Sequence, residues 1–243
     1  MKKLLTTTVM AASLSALTLT GCTSTTNSGA VGVDRQQLLL VSSEQILALS
    51  AQSYAKTIQD AKSKGVLDTN TAQLNRLKNI ANRLVGQVGV YRADAAKWQW
   101  EVHTIKSNDL NAIMGHEISH ALREHSRERL SREYATQTGI GLAASIFGLS
   151  QGQAELAGTA GNLGLSLPHS RTQESEADQI GLELMARAGY NPQAAVTLWQ
   201  KMQKASQGEP PQFLSTHPTS SSRIAELQSL MPKVTPLYQQ SRR

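Results

Sequence analysis

The residues best suited to chemistry stand together at His116-Glu117-Ile118-Ser119-His120. On a helix, positions i and i+4 share one face, so the two imidazoles project close enough to hold one ion, and neutral imidazole nitrogen suits zinc. Glu117 is turned from His116 by about 100° around the axis. It therefore stands beside such an ion without binding it, placed to activate a metal-bound water. An open catalytic zinc needs three protein ligands and leaves one position for solvent. The third ligand must come from elsewhere in the chain.

His125 is the nearest alternative, but on a continuous helix it lies about 180° around from His116. Arg123 also occupies the place where a chain-turning glycine would be needed, so His125 reads as solvated. Glu174 fits better, in Arg171-Thr-Gln-Glu-Ser-Glu-Ala-Asp178. One helical turn separates Glu174 from Asp178, so both can face the imidazole pair. Glu174 would bind zinc, and Asp178 would accept a hydrogen bond from the far nitrogen of a ligand histidine, His116 by preference, fixing its tautomer. Glu176 points the other way, about 200° from Glu174.

These side chains need helices to carry them. Apolar spacing predicts a first helix over 38–61 and a second over 71–85, the pair forming core scaffold. Trp98, Trp100, Val102 and Thr104 alternate with Gln99, Glu101 and His103, the period of a half-buried strand. Ser107 can cap a helix running from Leu110 to about Arg132 with the histidine pair on it. Residues 135–168 are rich in Gly, Ala, Ser and Leu and nearly uncharged. They suit either small-residue packing in the core or helical pieces joined as a hairpin, with membrane contact open to it. A helix over 172–187 carries Glu174 and Asp178, ends at Gly189, and is followed by helices near 192–205 and 219–230.

The chain has 243 residues, enough for one good core, and a formal net charge of +6. No dense Lys and Arg block with interleaved aromatics occurs, which argues against nucleic-acid binding. Met1-Lys2-Lys3, followed by a short apolar and threonine-rich run, reads as an export signal over residues 1–21. Leu19-Thr20-Gly21-Cys22 resembles the bacterial lipobox. That resemblance implies cleavage before Cys22 and lipidation of its sulfur and amino terminus, a firm anchor. Cys22 is the single cysteine, so no internal disulfide can form. Thr23 stands where an inner-membrane retention signal carries Asp, which by the same resemblance implies the outer membrane, periplasmic face. Residues 22–34, mostly small and polar, read as a flexible tether ahead of a domain spanning 35–243.

His-Glu-Ile-Ser-His-Ala, Glu174-Ser-Glu-Ala-Asp178, Ala-Gly-Tyr-Asn-Pro and Ser-Thr-His217-Pro together resemble the gluzincin metallopeptidases of the CAAX-prenyl-protease, Oma-like and HtpX-like family, above all its periplasmic lipoproteins. The resemblance implies a mainly α (α+β zincin-like) fold with a small, truncated sheet beside the active helix. It implies one zinc ion per chain, endoproteolysis of misfolded or unassembled envelope proteins, and contact with outer-membrane assembly proteins. His217 matches a histidine beside the metal, as fourth ligand or as donor to the developing oxyanion, the alternative being a satisfied structural histidine. Arg223 matches a companion position and reads as a helix-face ion pair. The chain also departs from the pattern. Relatives carry an extra strand and the first turns of the active helix after an Asn-Ala, whereas here Asn111-Ala112 runs straight into Ile113-Met114-Gly115-His116. Such a strand would hold an extended peptide by main-chain hydrogen bonds. Its loss leaves open a second expectation, an impaired zinc-binding lipoprotein acting as chaperone or adaptor.

Overall fold

The computed structural model describes residues 22–105, 114–161, 167–205, 217 and 221–242. The export signal over 1–21 and the Asn111-Ala112 junction lie outside the described residues. The order is β1 (Cys22–Thr23), β2 (Gln37–Leu38), α1 (Ser43–Ser63), α2 (Thr71–Val85), α3 (Met114–Leu122), α4 (His125–Phe147), α5 (Gln151–Gly161), α6 (Leu167–Arg187), α7 (Gln193–Ala205) and α8 (Ser221–Ser241). The fold is mainly helical, as the sequence implies, with one two-stranded antiparallel sheet pairing Cys22 with Leu38 and Thr23 with Gln37. No described helix is long and apolar enough to cross a membrane.

The middle helix α6 is central and buried nearly all round. Ile180, Leu182, Leu184 and Ala186 meet Ile118 and Leu122 of α3, Val196, Trp199 and Met202 of α7, and Ile224, Leu227, Leu230 and Val234 of α8 in one core. Its most extensive contact is with α3. Two glycines set that contact. A Cβ on Gly181 would lie 3.0 Å from the Gly115 carbonyl carbon and from the His116 nitrogen, and a Cβ on Gly115 would lie 3.2 Å from the Gly181 oxygen. The backbones touch there, one residue before His116 and three after Asp178.

Several expectations are corrected. α2 keeps its bounds and buries Leu74, Ala81 and Leu84, with Asn70 capping its start. α1 is held by a capping box at Ser42 and Gln45 but buries Ala61 alone, leaving Leu47, Leu49 and Tyr54 exposed, so it is not core scaffold. Residues 98–104 form no strand: Ile105 makes a single bridge to Leu67. The alternating tryptophans fold back instead, Trp100 donating to the Ala95 carbonyl and Trp98 to Asp94. A strand needs a hydrogen-bonded neighbour, and the described residues supply only that bridge.

The predicted 110–132 helix is broken between α3 and α4. Glu124 is left-handed with φ of 50°, held there by Arg92 at 2.5 Å and Arg127 at 2.9 Å. These ion pairs offset the order of 1 kcal/mol that this conformation costs a residue with a Cβ. α8 runs past its predicted end through Pro232 and Pro236, since Leu230 and Val234 are buried in the core and packing outweighs the lost backbone bonds. Of the two readings for 135–168, the hairpin holds: α5 packs back on α4, and Leu142, Ile146, Phe147 and Leu156 stay exposed.

The segment over 22–34 is docked, not a free tether. Val31 and Val33 are buried, and the Ala30 and Val31 amides donate to Glu183 of α6 at 2.8 and 3.0 Å. Buried acids on α6 need donors, and this segment provides them. Cys22 itself is exposed.

Candidate metal centre

The α3–α6 contact brings the ligand-type residues together. His116 Nε2 lies 3.1 Å from His120 Nε2. Glu174 reaches both, Oε2 to His116 Nε2 and Oε1 to His120 Nε2 at 3.3 Å each. His217 joins them, with Nδ1 at 2.9 Å from Glu174 Oε2 and 3.2 Å from His116 Nε2. One donor atom from each of the four lies within 4.8 Å of the others. Zinc held tetrahedrally at about 2.0–2.1 Å separates its ligand atoms by roughly 3.3–3.4 Å. The donor set is nitrogen and carboxylate oxygen, and its spacing fits that ion.

Each part of the site has a supporting contact. Asp178 sits at 2.9 Å from His116 Nδ1, the partner the spacing indicates. A carboxylate there can only accept, so a proton stays on Nδ1, and a metal held at Nε2 would displace only the proton of that nitrogen. Burial alone would lower the basicity of His116, but its hydrogen bonds to Asp178 and Glu174 outweigh that and raise its pKa to about 9. Burial would raise the Glu174 carboxyl, yet hydrogen bonds from His116, His120 and His217 hold it well below the usual carboxylate range.

Glu117 completes the arrangement. Its Oε1 is buried and is the one such side-chain atom among the described residues without a hydrogen-bond partner. The His217 Nε2 is 3.5 Å away, beyond useful hydrogen-bond reach. A carboxylate oxygen sheltered from solvent, beside four converging ligand atoms and free to accept, is suited to a proton acceptor.

Two residues play parts that the sequence reading missed. Arg223 is buried, donating through Nε and Nη2 to Asp178 at 2.6 and 2.9 Å, with Nη1 at 3.3 Å from Glu174. Its guanidinium lies 4.0 Å from the Trp199 ring centroid. It is the expected helix-face ion pair, but a buried one that ties Glu174 and Asp178 of α6 to α8. His125 is 1% exposed, not solvated, because the chain turns at Glu124 and aims it back at His120. Its Nδ1 lies 2.8 Å from His120 Nδ1, and its Nε2 lies 3.0 Å from Glu176. Burial outweighs the Glu176 contact and pushes the His125 imidazole down to about 4, so it is neutral. The left-handed residue is a glutamate, so no glycine in the sequence marked the turn.

A helix-borne histidine pair with an intervening acid, a carboxylate from a second helix and an orienting acid one turn beyond define a metallopeptidase-type centre. The profile of peptidase family M48 matches residues 86–231, and the chain belongs to that family. It is similar to mitochondrial metalloendopeptidase OMA1 of Schizosaccharomyces pombe, 40% identical over 126 residues that cover 51% of this chain and 36% of that protein. With the beta-barrel assembly-enhancing protease of Escherichia coli it shares 32% identity over 143 residues, 55% of this chain and 29% of that one. With metalloprotease LoiP of Escherichia coli it shares 27% over 242 residues, 89% and 93% of the two chains. The chain thus spans less than half the length of the OMA1 relatives and nearly all of LoiP. No solved structure gives a significant match.

Proposed function

We propose that this chain is a zinc-dependent endopeptidase, anchored through lipidated Cys22 to the periplasmic face of the outer membrane, that hydrolyses misfolded or unassembled envelope proteins. The observation that carries the catalytic part is the unpartnered, buried Glu117 Oε1 beside the four converging ligand atoms. The envelope setting is supported by the names of the beta-barrel assembly-enhancing protease and LoiP relatives and by the exposure of Cys22.

His116 and His120 would hold the metal through Nε2 and Glu174 through its carboxylate, with one ion per chain. Zinc there supplies a Lewis acid that lowers the pKa of coordinated water to near neutrality and polarises the scissile carbonyl. Glu117 takes the proton of the attacking water and returns it to the leaving amine, worth about 10²–10⁴-fold. Asp178 keeps the His116 lone pair aimed, and Arg223 keeps Asp178 and Glu174 in place. His217 points Nδ1 at the ligands and Nε2 at Glu117, where it would serve as a fourth ligand or as a donor to the developing oxyanion.

A second reading is an impaired zinc-binding chaperone or adaptor for envelope assembly. It is favoured by residues 98–104, which form no paired strand able to align an extended peptide. One experiment separates the two: zinc content and chelator-sensitive casein cleavage by the mature chain and by Glu117→Gln. The peptidase reading expects zinc in both and cleavage by the parent alone. Zinc without cleavage in the parent selects the second reading, and no zinc removes both.

A further inference from the structure

We infer that His125 is a positioning residue for His120, accepting the His120 Nδ1 proton while Glu176 fixes the tautomer of His125 from behind. The inference rests on the metal-site reading above and extends it to a buried relay the motif does not use.

The two Nδ1 atoms at 2.8 Å can make a hydrogen bond only if one nitrogen carries a proton and the other does not. His120 turns Nε2 to Glu174 and His116, so a lone pair on Nε2 requires its proton on Nδ1. His125 Nδ1 must then accept, which puts the His125 proton on Nε2. The atom facing that nitrogen is Glu176 Oε2 at 3.0 Å, an acceptor only. Each assignment requires the next, and the carboxylate ends the chain.

The relay is held rigidly. Glu176 also accepts from Arg123 Nε at 3.1 Å and from Arg35 Nε at 2.5 Å. Arg123 is fully buried and donates onward to Ser24, Thr26 and the Arg35 carbonyl. The docked N-terminal segment and the metal ligand therefore share one buried network. The two ligand histidines are supported differently: His116 by a carboxylate, His120 by a neutral ring. A neutral acceptor orients the imidazole while adding no second negative charge beside Glu174.

The test compares acceptors at one position. Asn places its Oδ1 near where His125 has Nδ1, whereas Leu fills the volume with no acceptor. In chelator competition with zinc alone at fixed pH, His125→Leu is expected to bind about 10- to 100-fold more weakly than the parent, the usual effect of losing such a partner. His125→Asn is expected within about threefold of the parent. Equal losses in both, or none in Leu, overturn the inference. Should Leu fail to fold, nitrogen-15 spectra of the zinc-loaded parent decide: His125 protonated at Nε2 supports the relay, and protonation at Nδ1 overturns it. A parent that binds no zinc sinks the metal-site reading itself, a distinguishable result.

Discussion

Gly181→Ala separates ligand placement from stability. The added methyl would lie 3.0 Å from the Gly115 carbonyl carbon and the His116 nitrogen and 3.1 Å from the Gly115 oxygen, all backbone atoms that cannot swing aside. Carbon contacts settle at about 3.5–4.0 Å, so α3 and α6 must part by roughly 0.5 Å. Overpacking of that kind costs about 1–3 kcal/mol, while alanine gains about 1 kcal/mol over glycine inside a helix. The net loss is about 0–2 kcal/mol, and the variant should fold. Metal ligation is less forgiving, since ligand distances hold within about 0.2 Å. Glu174 and Asp178 ride on the displaced helix and His116 on the other. Zinc affinity by chelator competition should therefore fall at least about tenfold. Gly139→Ala, where a Cβ meets nothing within 4 Å, is the control and should leave affinity alone. A Gly181→Ala protein that binds zinc like the parent would refute the claim that this helix contact sets the site.

Arg223→Met leaves Asp178 and part of Glu174 buried without their cation, and should destabilise the metal-free protein by about 3–5 kcal/mol. Zinc restores positive charge beside them, so chemical denaturation should show a smaller loss in the zinc-loaded form. Glu128 is fully buried between Arg35 and Arg132. Burial would raise its pKa, but hydrogen bonds from Arg35, Gln173 and Arg132 outweigh that and hold it below its usual value of 4.5. Its contribution is present above about pH 4.5 and is lost as the pH falls toward the lower folded value. Glu128→Gln should accordingly be less stable at neutral pH and show a shallower acid limb in urea titrations; an acid limb as steep as the parent's would count against that assignment.

The sequence made the cluster of His116, His120, Glu174 and Asp178 legible because it is locally coded. Positions i and i+4 on α3 pair the imidazoles, and one turn of α6 aligns Glu174 with Asp178. The rest depends on contacts distant in sequence. His125 lay on the wrong face of an unbroken helix, and the chain turns there at Glu124, which Arg92 and Arg127 hold. Residues 22–34 lack apolar bulk, but Glu176 and Glu183 on α6 are buried acids that draw Arg35 and the Ala30 and Val31 amides to them. The alternation at 98–104 is a real period, yet period alone names a face and no partner. α1 has apolar spacing as well, and its exposure shows that spacing specifies a stripe without specifying what covers it.

The measurement that bears most directly on the central claim is zinc K-edge X-ray absorption of the metal-loaded chain, paired with metal content of Glu174→Ala. One zinc per chain in a first shell of nitrogen and oxygen, with imidazole scattering from at least two histidines and clear weakening of binding in the variant, is the expected result. A shell without imidazole, or a Glu174→Ala protein holding zinc as tightly as the parent, would contradict it.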